Sequence, residues 1–147
     1  MFNAEDAQKL VDELVARWNA KNPESFAALF RDDAVFIDVV GNTMLGPKQI
    51  GEGHARPWST ILADAVLTAD AVTLRAVTPD VCTAEMRWVT TGHRAPTGDE
   101  LPPRRGVMLV VMGPGSEGLA IVQVCNADHS ATYRRGDDRP GPPPNTH

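Results

Sequence analysis

The sequence predicts an α+β domain, with N-terminal helices packed in the concavity of a strongly curved, mostly antiparallel sheet. Three observations predict it. Apolar residues recur at helical spacing near the N-terminus, apolar–polar alternation takes over afterwards, and Gly/Pro pairs divide the second half into four strand-length runs. A sheet that curls around its helices leaves a cone with an open mouth. At 147 residues the chain makes one domain, read as residues 1–133, followed by a Pro/Gly-rich tail, residues 134–147. The tail has almost nothing apolar to bury and is expected to be disordered.

The elements follow in order. Ala7, Leu10, Val11, Leu14, Val15 and Trp18 lie on one face of a helix over 4–20, with Asn3 placed to cap it. Asn22-Pro23 stops that helix and starts a short second one, about 23–30, because Pro suits the first helical position. The run DAVFIDVVG alternates as a half-buried strand does, putting Val35, Ile37 and Val39 on one face and Phe36, Asp38 and Val40 on the other. Gly41-Asn42 reads as a tight turn, with Thr43–Leu45 a short return strand. A third helix over about 47–62 carries Ile50, His54, Trp58 and Ile61, and Pro57 should kink or break it. Strands over 65–77, 81–94, 104–113 and 118–129 complete a meander. On the second of these, Cys82, Ala84, Met86 and Trp88 form the apolar face. On the last, Asn126 and Asp128 share a face with Val122 and Val124.

Charge and composition exclude several functions. The net charge is −5 with no run of Lys or Arg, so nucleic acid is not an expected partner. No apolar stretch reaches the roughly 18 residues of a membrane span. The N-terminus opens on Asn, Glu and Asp, unlike a secretory leader, and the expected location is the cytoplasm. Cys82 and Cys125 lack metal-type spacing and read as two thiols in a reducing compartment. His54, His93 and His129 lie far apart in sequence, with no His-x-His or His-Glu-x-x-His pattern, so no metal is expected. GEGHARP lacks the third glycine of a dinucleotide fingerprint, and no cofactor is expected.

The candidate site grows from Asp38. On the face shared with Phe36 and Val40 its carboxylate needs a partner, or its pKa must rise. His54 lies close by in sequence, and the two together would make a general acid/base dyad, with the Asp orienting the imidazole and raising its pKa. Trp18, Trp58 and Trp88 supply flat apolar walls suited to a hydrophobic ligand, with Phe36 and Met86 beside them. Asn126, at an inward position, can hydrogen-bond the ligand. One of Arg104 and Arg105 should face the cone mouth.

Several segments together resemble the nuclear transport factor 2-like superfamily, which includes SnoaL-like polyketide cyclases and ketosteroid isomerase. They are ARW at the end of the first helix, FRDDAVFIDVVG, the run Gly46, Ile50, His54, and a last strand ending in Asn126. LPPRRGVMLVV and IVQVCNAD look most like the SgcJ/EcaC subgroup, although that subgroup commonly has Asn-Thr where this chain has Asn126-Ala127. The resemblance spans about residues 5–130 and implies the cone fold; large antiparallel sheets of this kind often dimerise through their outer face, so a homodimer is expected, with Glu85 and Arg87 as interface and not site residues. The resemblance also implies that Asp38 stands where the isomerase carries its general base. Trp18 stands at the isomerase's oxyanion Tyr, and Val110 at its protonated oxyanion Asp. Valine donates no hydrogen bond, and losing one oxyanion donor costs about 10²–10³ in rate, so ketosteroid-type isomerisation is not expected. The expected function is cofactor-independent acid/base chemistry on a small hydrophobic molecule: cyclisation, isomerisation or hydration in secondary metabolism. Asp38 would be base or orienter, His54 the proton shuttle and Asn126 the substrate positioner. The alternative is a non-catalytic ligand-binding or dimerisation protein of the same fold.

Overall fold

Asn3 opens the first helix, its side-chain oxygen accepting from the Glu5 and Asp6 amides at 2.9 and 3.1 Å. The structure is a computed structural model that describes residues 1–129; the expected disorder of the tail lies outside the described residues. Helix α1 (Ala4–Ala20) keeps Glu5 and Asp6 at its positive end and Arg17 at its negative end. It terminates at Lys21, whose φ of 57° lets its amide return to the Arg17 and Trp18 carbonyls. Ala7, Val11, Leu14 and Trp18 form its buried stripe.

Helix α2 (Pro23–Ala27) is capped by Asn22 and ends three residues before the spacing predicts. The reason is tertiary. Phe30 pairs with Ile121, and the Leu29 carbonyl accepts from the Ile121 amide at 3.0 Å, so the sheet captures the chain before another turn can form. The remaining elements are β1 (Phe30–Ile37), β2 (Thr43–Leu45), α3 (Gly46–Ser59), β3 (Val66–Ala76), β4 (Cys82–Thr91), β5 (Arg104–Gly115) and β6 (Gly118–Asp128). Helix α3 continues through Pro57, which falls in its last turn, and stops at Ser59 instead of 62. Gly51 lets α3 approach α2 closely: a Cβ there would stand 3.1 Å from the Pro23 carbonyl oxygen.

The six strands form one sheet in the order β2-β1-β6-β5-β4-β3, parallel between β1 and β6 and antiparallel elsewhere. It is the mostly antiparallel sheet that the sequence predicts, with the helices against its concave face. On β4 the alternation holds: Cys82, Ala84, Met86 and Trp88 are buried. On β6 it does not hold throughout. A bulge between the Val111–Gln123 and Met112–Ile121 pairs shifts the parity, so Ile121, not Val122, joins Val124 in the core. Among the described residues no helix is long and apolar enough to cross a membrane.

Candidate functional site

The concave side of the sheet and helix α3 enclose a cavity of about 360 Å³. Strand β4 contributes Trp88 and Thr90 to its wall, β5 contributes Arg104 and Met108, and β6 contributes Asn126. Trp18 enters from α1, Phe36 from β1 and His54 from α3, while Asp38 sits at the rim just after β1. Asp38 and Asn126 thus open to one cavity.

His54 is fixed by its own helix. It is 8% exposed, and Nδ1 lies 2.7 Å from the Ile50 carbonyl oxygen. A carbonyl only accepts, so Nδ1 carries the proton and Nε2 keeps its lone pair. Nε2 has no protein partner among the described residues, yet it is not sealed from solvent. The ring is clamped by Phe26 and Phe36, each at a centroid distance of 4.8 Å, and by Trp58 at 5.0 Å. Burial pushes the His54 pKa below 6.5, against smaller upward pulls from the Ile50 hydrogen bond and the Asp38 charge. The imidazole is therefore held neutral, whereas the dyad expected from the sequence would have raised it.

Asp38 reaches His54 through its field alone. Strand β1 ends at Ile37, and Asp38 starts a turn. Its Oδ1 accepts from the Val40 and Asn42 amides at 3.0 and 2.9 Å, and Oδ2 accepts from Asn42 Nδ2 at 3.1 Å. Both oxygens are thus engaged in closing residues 38–42, an Asx-type turn. Asp38 is half-buried, less enclosed than its strand parity with Phe36 predicts, because the strand stops one residue before it.

Asn126 is positioned by Trp88, whose indole N–H donates to Oδ1 at 2.7 Å. Indole nitrogen is only a donor, so the bond fixes the amide orientation and leaves Nδ2 as a donor with no partner among the described residues. Arg104 is the arginine that faces the cavity; its Nε and Nη2 donate to Asp128 Oδ2 at 3.1 and 2.6 Å. Arg105 instead lies 3.6 Å from Asp70.

Two expected wall residues belong to the core. Met86 is fully buried and does not line the cavity, whose wall takes its cross-strand neighbour Met108 and Trp88 instead. Trp58 is held behind His54, edge-on to Trp18 at 6.0 Å and to Phe26 at 5.2 Å. Among the cavity residues that were not singled out as a site from the sequence, one carries a titratable ring. His93 is 8% exposed and lines the cavity. Strict alternation after Thr90 would turn residue 93 outward, but Gly92 takes φ of 78° and reverses the direction of the chain's side chains. The signal in the sequence was the Gly immediately before that histidine. Among the described residues no group of three His, Cys, Asp or Glu gathers as a metal site.

With this geometry, a match to the SnoaL-like domain over residues 11–112 decides the family. The chain belongs to the SnoaL-like domain family. Solved structures resemble it as a whole. A protein with a cystatin-like fold from Caulobacter vibrioides superposes with a TM-score of 0.77 at 22% identity, covering 84% of this chain and 87% of its own. A nuclear transport factor 2-like superfamily protein from Salmonella enterica does so with a TM-score of 0.76 at 18% identity, covering 90% and 93%. A hexachlorocyclohexane dehydrochlorinase gives a TM-score of 0.76 at 12% identity, covering 84% and 83%. No curated protein matches the chain. This SnoaL-like domain therefore has the cone fold of the nuclear transport factor 2-like superfamily, with its cavity at the mouth.

Proposed function

We propose that this SnoaL-like protein binds a small hydrophobic molecule in the cavity and performs cofactor-independent acid/base chemistry on it: cyclisation, isomerisation or hydration, in secondary metabolism. One observation carries the reading. His54 presents an unprotonated Nε2 on an otherwise largely apolar wall, with its tautomer locked by Ile50. A neutral imidazole with a bare nitrogen facing a cavity can act as a general base. The nearby Asp38 charge stabilises the imidazolium once it forms, without a hydrogen bond between the two. Trp18, Phe36 and Trp88 hold the ligand's flat face, and Asn126 Nδ2 positions a polar group on it. That a dehydrochlorinase shares the fold supports proton abstraction as chemistry this cone accommodates.

The test is deuterium wash-in from D2O at the acidic carbon of flat aromatic ketones, followed by NMR. Wild-type protein is expected to accelerate exchange, and His54→Gln to lose about 10²–10⁴-fold. Asp38→Asn should lose less and keep its melting temperature within a few degrees, since Asn42 can flip its amide to restore the turn. Because the His54 pKa is lowered from 6.5, the neutral base persists as the pH falls through that value. The rate should therefore hold its plateau below pH 6.5 and fall only under the folded pKa. Exchange equal in wild type and His54→Gln would sink the catalytic reading.

Asp38 gives a second reading its support. Both its oxygens are committed to the turn, as in a structural acid, which favours a non-catalytic binding protein with the same cavity. Ketone binding without any exchange would select it.

Within the family we place the chain in the SgcJ/EcaC subgroup, on LPPRRGVMLVV and IVQVCNAD, and in the cytoplasm, in keeping with two free thiols. We also propose a homodimer through the outer sheet face. There Glu85, Leu109 and Cys125 lie side by side across three strands, and Leu109 is 43% exposed. Sedimentation should show twice the chain mass, and Leu109→Lys should halve it.

A further inference from the structure

The cavity holds a second imidazole whose polarity is opposite to that of His54. His93 follows β4 and is tied down on both sides. Its carbonyl accepts from the Leu101 amide at 3.0 Å, and the neighbouring Arg94 amide donates to the Ile61 carbonyl at 2.9 Å. Its Nδ1 is buried with no hydrogen-bond partner. A stranded N–H donor, or a stranded charged ring, costs more than a stranded lone pair, so Nδ1 is the bare nitrogen and Nε2 carries the proton. Nε2 has no protein acceptor among the described residues and is not sealed from solvent.

We propose that His93 is a catalytic hydrogen-bond donor, its Nε2–H receiving the oxygen of a carbonyl-bearing apolar substrate while His54 Nε2 takes the proton from the carbon next to that carbonyl. The inference rests on His54 being the base. The step balances: the C–H bond breaks, its proton goes to His54 Nε2, and its electron pair moves through the new C=C bond onto the oxygen. His93 keeps its proton throughout and stabilises the oxyanion, alongside Nδ2 of Asn126. Neutrality lets His93 keep its proton, because a neutral imidazole N–H is too weak an acid to give it up to the oxygen, whereas an imidazolium could transfer it. Burial lowers the His93 pKa, the Arg104 guanidinium lowers it further, and only Glu100 acts the other way. His93 thereby supplies a donor that Val110, fully buried away from the cavity, cannot.

The test reads each imidazole separately. In ¹⁵N-histidine-labelled full-length protein, two-bond ¹⁵N–¹H correlations should show His54 protonated at Nδ1 and His93 protonated at Nε2. His93 protonated at Nδ1 would overturn this inference and leave His54 untouched, whereas His54 protonated at Nε2 would remove the base and with it both readings. Binding then tests the contact. By tryptophan quenching, 2-acetylnaphthalene should bind about tenfold more tightly than 2-ethylnaphthalene, the worth of one hydrogen bond to a carbonyl. His93→Phe, which keeps a ring but no N–H, should erase that preference. A preference that survives in His93→Phe would overturn the inference. If this variant does not fold, the tautomer measurement on wild-type protein still decides.

Discussion

Phe26→Ala is expected to destabilise the protein by about 3–5 kcal/mol, the range for emptying a buried phenylalanine site. Phe26 is fully buried and stands at the centre of the aromatic cluster. Its ring centroid lies 5.3 Å from Phe30, 6.4 Å from Phe36, 4.8 Å from His54 and 5.2 Å from Trp58. No neighbour can collapse into the space, because each of those rings is held from another side by the sheet or by α3. The loss should therefore include a large cavity contribution. It should also release His54, whose ring is clamped by Phe26 on one side and Phe36 on the other. Urea unfolding of wild type, Phe26→Leu and Phe26→Ala checks it, with leucine recovering more than half of the loss. A cost for Phe26→Ala below about 1 kcal/mol, the ordinary cost of a point mutation, would mean the cluster does not organise the site.

Gly106→Ala is expected to damage stability and site together. Gly106 pairs with Trp88 on β4 and with Asp128 on β6. A Cβ added there would run into the six-membered edge of the Trp88 indole and into the Ala127 carbonyl. The indole lies over the glycine and has nowhere to go except into the cavity. Its movement breaks the 2.7 Å bond to Asn126, leaving both partners unsatisfied. Overpacking and the lost bond together should cost about 2–4 kcal/mol. Affinity for 2-acetylnaphthalene should fall by more than the tenfold assigned to His93, because the wall itself is displaced. A crystal structure of Gly106→Ala with Trp88 unmoved would contradict this account.

The elements governed by local rules were legible in the sequence. Helix α1 runs over Ala4–Ala20 as its apolar spacing and the Asn3 cap predict, and the buried side of β4 follows its alternation residue by residue. His54, Trp18, Phe36, Trp88 and Asn126 line one cavity because strand parity and helical period depend only on neighbours in the chain, while Asp38 reaches its rim from the turn after β1. Local rules failed where a single backbone residue changed direction. Gly92, at positive φ, turns His93 inward, and the β6 bulge exchanges Val122 for Ile121. The end of β1 places Asp38 in a turn instead of a dyad.

The sequence by itself determined the order of helices and strands, the buried face of each, and the presence of an acid, an imidazole and indoles around one concavity. The tertiary structure decided which buried residues meet a partner and which meet empty space. Trp18 and Trp88 line the cavity, whereas Trp58 and Met86 are packed solid, though all four carry the same signature of an apolar residue on an inward face. Burial is written in the periodicity of one segment. A cavity is the gap left when several segments fail to fill a volume, and that depends on how β4, β5, β6 and α3 close around it. The proton positions on His54 and His93 belong to the same class: each is set by whether a carbonyl or nothing lies opposite one ring nitrogen, a contact that exists only once the chain is folded.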